Sequence, residues 1–273
     1  MHRLREMDKD WSRIPELLKE NGTRHKNYKT YTSMDAALEF LLDGYLFLSD
    51  GCVWNDIPDR NQMKDQKAHG KSFSFSTREN IAMWMLYGDK LGQNGAILNF
   101  VPSTIDEILK VEKIDVVRIY PGKKTETLFS LYQSKEDFTI FMTDVLYTDE
   151  IFDDQSEEKK ATVNITYNEQ HIERSKDFYK DPDVFTKRYE WCYEKECRLV
   201  VKPSDTVWKK IDKEKADYKE NDNSYVCLRL FVPNYRAMKE RIIRSPIYEG
   251  KVLYGQASTM TGEVDWKLVR NPS

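Results

Sequence analysis

The sequence predicts an α+β protein: a mixed or antiparallel β-sheet core with flanking helices. Three observations lead there. Short runs of β-branched and aromatic residues alternate with short amphipathic helices, the first connections are too short for a large insertion, and one run, SFSFS at 72–76, keeps a strict period of two.

The elements follow in order. Ile14, Leu17 and Leu18 share one face of a helix over 11–20 that stops at Asn21-Gly22. NYKTYTS at 27–33 has the content of a strand, with Tyr28, Thr30 and Thr32 on one face and Lys29, Tyr31 and Ser33 on the other. Ser33 is placed to cap the helix MDAALEFLLD, which Gly44 ends, and YLFLS at 45–49 is a short buried strand. Residues 50–71 are polar with Gly and Pro and read as an exposed loop over the core. In SFSFS, Ser72, Ser74 and Ser76 share a face opposite Phe73 and Phe75. Ser76 and Glu79 have capping-box spacing, so strand and helix are expected to meet at Ser76, the helix carrying Ile81, Met83, Trp84, Met85 and Tyr87.

Beyond the Gly92–Gly95 turn lie a strand, AILNFV, a helix from Pro102 to about Val111, and a strand, IDVVRIYP, at 114–121. Ser134 and Asp137 open a helix with Phe138, Phe141 and Val145, for which strand is the competing reading. Residues 148–160 and 205–222 read as solvated loops or frayed helix. Between them a helix or turn around Trp191 feeds the strand CRLVV, stopped by Pro203, and the tail adds strand YVCLRLFV, helix YRAMKERI and strand KVLYG. The whole chain, 1–273, is expected to be one domain with a helical extension at about 1–26 and closing strands and helix at about 223–273.

Composition narrows the function classes. Hydrophobic residues make up 40%, and 16 Tyr, 12 Phe and 6 Trp supply bulky apolar surface, which excludes global disorder despite 33% charged residues. Lys and Arg total 43 against 46 Asp and Glu, so a net charge of -3 gives no overall drive toward nucleic acid or anionic lipid. No run approaches the roughly 20 apolar residues of a membrane span, and MHRLREMDKDW lacks an apolar signal core, so the chain is expected to be soluble and cytoplasmic. The scattered cysteines, Cys52, Cys192, Cys197 and Cys227, and the scattered histidines suggest free thiols and no structural metal.

Three constellations could carry chemistry. Glu194-Lys195-Glu196, if extended, projects two carboxylates from one face, where an electron-poor or hydroxyl-bearing group would relieve their repulsion. Such triplets are most often exposed ion-pair patterning, but this one adjoins Tyr189, Trp191 and Tyr193 at the mouth of an apolar strand. The serine face running into the helix of Trp84 and Tyr87 suits a ribose or phosphate below a stacking ring, against the plainer reading of an edge strand with one wet face. The strand with Lys29 and Tyr31 offers a cation or hydroxyl from one side. P-loop, GxGxxG, HExxH and GxSxG motifs are absent.

With WNDIPD at 54–59, SFSFSTRENIAMWMLYGD at 72–89, GAILNF at 95–100 and WCYEKECRLV at 191–200, residues 27–202 resemble the bacterial family catalogued as domain of unknown function 2971. The chain departs from that pattern at Ile57, which separates Asn55-Asp56 from Pro58, and at Leu91 and Gln93, one of which stands where the family carries a histidine. The element order is also similar to that of ADP-ribosyltransferases, including toxins of phage-defence toxin–antitoxin systems, and this implies a split β-sheet core. The resemblance implies NAD as substrate, Lys29 or Tyr31 in the first-strand role, Ser74 and Ser76 facing ribose, Trp84 or Tyr87 stacking on nicotinamide, Glu196 as the catalytic glutamate and Glu194 as its accessory acid. It further implies a macromolecular acceptor such as RNA, selected by the loops 50–71 and 148–160, with an antitoxin protein and a chaperone as partners. The competing readings are a non-enzymatic nucleotide- or protein-binding module and a nuclease-like effector using Asp56, Asp59 and the glutamate pair.

Overall fold

A computed structural model gives the fold and describes residues 13–89, 92–122, 124–149, 162–175, 184–216, 224–246, 252–257 and 264–269. Pro15 sits in the first turn of α1 (Ile14–Gly22), which buries Ile14 and Leu18. β1 (Tyr28–Ser33) passes directly into α2 (Met34–Asp43), where the Ser33 hydroxyl accepts from Ala36 N at 3.1 Å and Gly44 closes the helix at φ 74°. β2 (Tyr45–Leu48), α3 (Ile57–Asp65), β3 (His69–Ser74) and α4 (Ile81–Tyr87) follow. Next come β4 (Gly95–Phe100), α5 (Pro102–Ile108), β5 (Lys113–Ile119), β6 (Thr125–Tyr132), β7 (Phe138–Asp144) and β8 (Leu146–Thr148). β9 (Thr162–Tyr167) and β10 (Gln170–Ser175) form a hairpin. After β11 (Thr186–Arg188), the 3₁₀ turn Tyr189–Glu194 delivers the chain to β12 (Glu196–Pro203) and α6 (Asp205–Ala216). β13 (Tyr225–Phe231), the 3₁₀ turn Tyr235–Arg241, β14 (Ile242–Arg244), β15 (Val252–Ala257) and β16 (Val264–Val269) complete the described chain.

The architecture is α+β. A six-stranded sheet has the order β14-β4-β1-β3-β12-β7, a four-stranded sheet the order β2-β13-β5-β6, and a second four-stranded, mixed sheet the order β10-β9-β8-β11, where β11 runs parallel to β8. The main core includes Tyr28, Phe40, Phe73, Phe100, Leu199 and Leu228 from the first two sheets and α2. A second core gathers Ile14 and Leu18 of α1 with Leu146, Val163, Ile165 and Phe185 of the mixed-sheet region.

Strand β1 is paired unequally. It runs against β4 along its whole length, from Tyr28–Phe100 to Ser33–Gly95, but meets β3 at the single register pair Lys29–Ser74. Both strands of this short pairing contribute residues to the cavity described below.

Several elements differ from expectation. The 50–71 segment is not a loop throughout: it contains α3 and the start of β3, and it buries Asp56, Asp59, Gln62, Met63 and His69. The strand ends at Ser74, and α4 is capped not by Ser76 but by Asn80, whose side-chain oxygen accepts from Ala82 N at 2.9 Å. The 134–145 segment is strand β7 after one short 3₁₀ turn, as its β-branched content allowed. Residues 205–216 form a regular helix because Val207, Trp208 and Ile211 fall on one face and are buried.

Candidate functional site

Paired positions on adjacent antiparallel strands share a face. The register Lys29–Ser74–Glu196 across β1, β3 and β12, with Ser72–Arg198 beside it, therefore puts cations, hydroxyls and a carboxylate on one side of the sheet. There they meet a cavity of about 440 Å³. Lys29, Tyr31, Ser72, Ser74, Tyr87, Glu194 and Glu196 all line it, together with Trp54, Asp56, Asp59, Lys187 and Trp191.

The two glutamates arrive by a route other than an extended triplet. Glu194 ends the 3₁₀ turn, Lys195 is left-handed at φ 45°, and Glu196 opens β12. That one reversed residue aims both carboxylates at the same ammonium: Lys187 Nζ donates to Glu194 Oε2 at 2.6 Å and to Glu196 Oε2 at 3.0 Å, and lies 3.7 Å from Asp59 Oδ2. Arg198 donates through Nε to Glu196 Oε1 at 2.6 Å and through Nη2 to Glu196 Oε2 at 3.3 Å and to Asp59 Oδ2 at 2.7 Å. Ser72 Oγ donates to Glu196 Oε1 at 2.5 Å. Glu194 has a lighter shell, with Tyr87 OH donating to its Oε1 at 2.7 Å beside the Lys187 contact.

These shells set opposite protonation states. Burial raises the Glu194 carboxyl; Lys187 pulls it back and Glu196 pushes it up again, leaving it at about 7. Burial acts on Glu196 too, but Arg198 and Lys187 outweigh it and hold that carboxyl well below the usual range. Burial also opposes the charge on Lys187, yet Glu196, Glu194 and Asp59 hold its ammonium well above the ordinary lysine value. Near neutral pH the site thus combines a fixed carboxylate with one that exchanges a proton, the pairing that acid–base chemistry requires.

The remaining expected residues separate into two groups. Tyr31 and Tyr87 are at the cavity, whereas Trp84 is 1% exposed and packs edge-on against Tyr31, with ring centroids 5.0 Å apart, so it supports the wall rather than facing a ligand. Ser74 lines the cavity, but its hydroxyl donates to Glu194 O at 2.5 Å and tethers the turn. Ser76 lies past the end of β3 and lines a separate hollow with His25, Phe75 and Lys195, because the strand alternation on which its role depended stops at Ser74. Of the expected acceptor loops, residues 150–160 lie outside the described residues.

Sequence reasoning missed part of the cluster. Lys187 is 5% exposed and central. Arg198 carried a usable signal, since it stands two residues after Glu196 in a strand and must share its face. Trp54 lies over the Arg198 guanidinium at 5.0 Å and Trp191 over Lys187 Nζ at 4.9 Å, so both rings back cations. Arg188 Nη2 donates to Asp56 Oδ1 at 2.6 Å, which fastens the 54–59 segment over the cavity.

The acids do not converge as metal ligands, because the Lys187 ammonium occupies the space between the glutamates. Among the described residues one donor set does gather within 4.8 Å: His25, Asp144 and Cys197, by the other face of β12. There Asp144 already bonds His25 Nε2 and Tyr167 OH, each at 2.6 Å. The four cysteines are free thiols.

No family model, curated protein or solved structure matches the chain.

Proposed function

We propose that this chain is an NAD-consuming ADP-ribosyltransferase that modifies a macromolecular acceptor, acting as a toxin of bacterial anti-phage defence. The observation that carries the reading is the meeting of Ser72, Tyr87, Glu194 and Glu196 on one cavity, with two carboxylates held in different protonation states.

In the reaction the bond between nicotinamide and ribose breaks, its electron pair leaves with nicotinamide and cancels the ring's positive charge, and the acceptor's nucleophile bonds to the ribose carbon. Glu196, kept as an anion, stabilises the positive charge that develops on the ribose. Both of its oxygens already accept from Arg198, so it acts as a fixed charge and not as a base. Glu194 takes the proton released by the acceptor, and Tyr87 and Lys187 hold its carboxylate in position. Phe47, Val53 and Leu86 line the cavity and are exposed at its rim, which supports a protein acceptor over RNA, because this rim presents apolar groups where phosphates would need cations.

The test is release of nicotinamide from labelled NAD by the full chain mixed with cell extract. Glu194→Gln is expected to lower the rate by about 10²–10⁴-fold, the range for losing an acid–base group, with an unchanged circular dichroism spectrum. Glu196→Gln is expected to abolish turnover and also to destabilise, since it strips an anion from Arg198 and Lys187. Growth arrest on expression, relieved by Glu194→Gln, would support the toxin assignment. Absence of nicotinamide release by the unaltered chain would sink the transferase reading.

The saturated shell of Glu196 favours a second reading: a non-enzymatic module in which the buried ions are a scaffold and the cavity recognises a nucleotide. Nucleotide binding without nicotinamide release is its signature.

A further inference from the structure

Strand β3 has two sides. Ser72 and Ser74 face the glutamates, and alternation sends Lys71 the other way, toward the second sheet. The cavity continues there between Phe47 of β2 and Tyr225 and Cys227 of β13, with Val53 and Lys71 in its lining. Among the described residues the Lys71 ammonium meets no carboxylate, hydrogen-bond acceptor or aromatic ring. Burial lowers its pKa and no neighbouring charge opposes that shift. Lys29, on the same face as Ser74 and Glu196, lines the same cavity, is 7% exposed and is likewise without a partner among the described residues.

A cation withdrawn from water without a counter-charge is costly, and folded chains seldom keep one unless something compensates it. Here Lys29, which is buried, and Lys71, which is part-buried, line one cavity whose acids are already committed: Lys187 and Arg198 neutralise the glutamates and Asp59, and Arg188 neutralises Asp56. What the cavity lacks is an anion.

We infer that Lys71, acting with Lys29 across the strand edge, is an anion-binding residue, and that the compartment between β3 and β13 receives the diphosphate portion of a ligand. Phe47, Val53 and Tyr225 border that contact at the exposed rim, which leaves the compartment open to a ligand from solution. This assignment goes beyond the transferase reading, since it holds for any diphosphate ligand whether or not a bond breaks at the glutamates.

Isothermal titration of the full chain with inorganic pyrophosphate, ADP and adenosine tests it. Pyrophosphate and ADP are expected to bind, and ADP at least tenfold tighter than adenosine. Lys71→Met should weaken pyrophosphate and ADP at least tenfold, leave adenosine unchanged, and leave the Tm of the free protein equal or higher, because an uncompensated cation is removed. Lys71→Arg should restore much of the lost affinity. Unchanged pyrophosphate affinity in Lys71→Met, or adenosine binding as tightly as ADP, would overturn the assignment, as would a Lys71→Met protein with lowered Tm and equal loss of all three ligands. A chain that binds pyrophosphate through Lys71 yet never releases nicotinamide would reject the transferase and keep the anion seat.

Discussion

Glu194 and Glu196 stand two residues apart and bind their protons in opposite senses. With its carboxyl at about 7, Glu194 is an anion only above that pH, so under the proposed transferase reaction kcat/KM for nicotinamide release is expected to rise through pH 6–8 and flatten in Glu194→Gln at its residual level. Stability follows the same proton. The folded carboxyl binds it more tightly than the unfolded one, whose value is 4.5, so the stabilisation from protonating Glu194 is complete below about 4.5 and is lost as pH rises through about 7. Glu196 has the reverse sign: its contribution is present above 4.5 and fades in stronger acid. Urea unfolding of the protein and of Glu194→Gln at pH 5 and pH 8 separates the two, since only the unsubstituted protein should lose the Glu194 share between those values. At this scale the acids, Lys29 and Tyr87 were legible as residue types in a suggestive order. Lys187 was not, because its path to the glutamates depends on the left-handed turn at Lys195, a conformation that no local residue preference announces at a lysine.

Between elements, close approach replaces side-chain chemistry as the deciding term. At the end of α1, a Cβ on Gly22 would lie 2.8 Å from Thr143 N and 2.9 Å from Thr143 Cα of β7, so helix and strand touch backbone to backbone. Gly22→Ala is expected to destabilise by roughly 1–3 kcal/mol through overpacking, read as a lower urea midpoint at constant m-value. Elements with strong local signals were legible: Ser33 and Gly44 bracket α2 as their residue types require. Helix α3 was not, because its buried positions include Asp59 and Gln62 as well as Met63, and polar residues at core positions erase the hydrophobic period. Ser76 misled for a related reason: a capping-box spacing was present, but Asn80, one residue before Ile81, holds the helix start and also donates through Nδ2 to Tyr193 O at 3.1 Å.

Across the whole molecule, helix α1, which falls within the expected N-terminal extension, is part of the second core. Ile14 and Leu18 are almost wholly buried in the second core, each contributing about 1.5–3 kcal/mol. Deleting residues 1–26 is therefore expected to lower the Tm by roughly 10 °C and to raise binding of a hydrophobic dye, where removal of a dispensable appendage would change neither. Among the described residues no helix is long and apolar enough to cross a membrane. The α+β class was legible from alternating short strands and helices, but the unequal pairing of β1 was not, since register between distant strands leaves no mark on either one alone.

The burial of the Lys187–Glu194–Glu196–Arg198 cluster has a consequence for how the protein meets its surroundings. Mobile counter-ions screen exposed pairs such as Lys67–Asp205 within about 8–10 Å at physiological ionic strength, but they cannot enter a cluster whose side chains are 0–6% exposed. Sodium chloride should therefore weaken the exposed surface pairs long before it disturbs the charges at the centre.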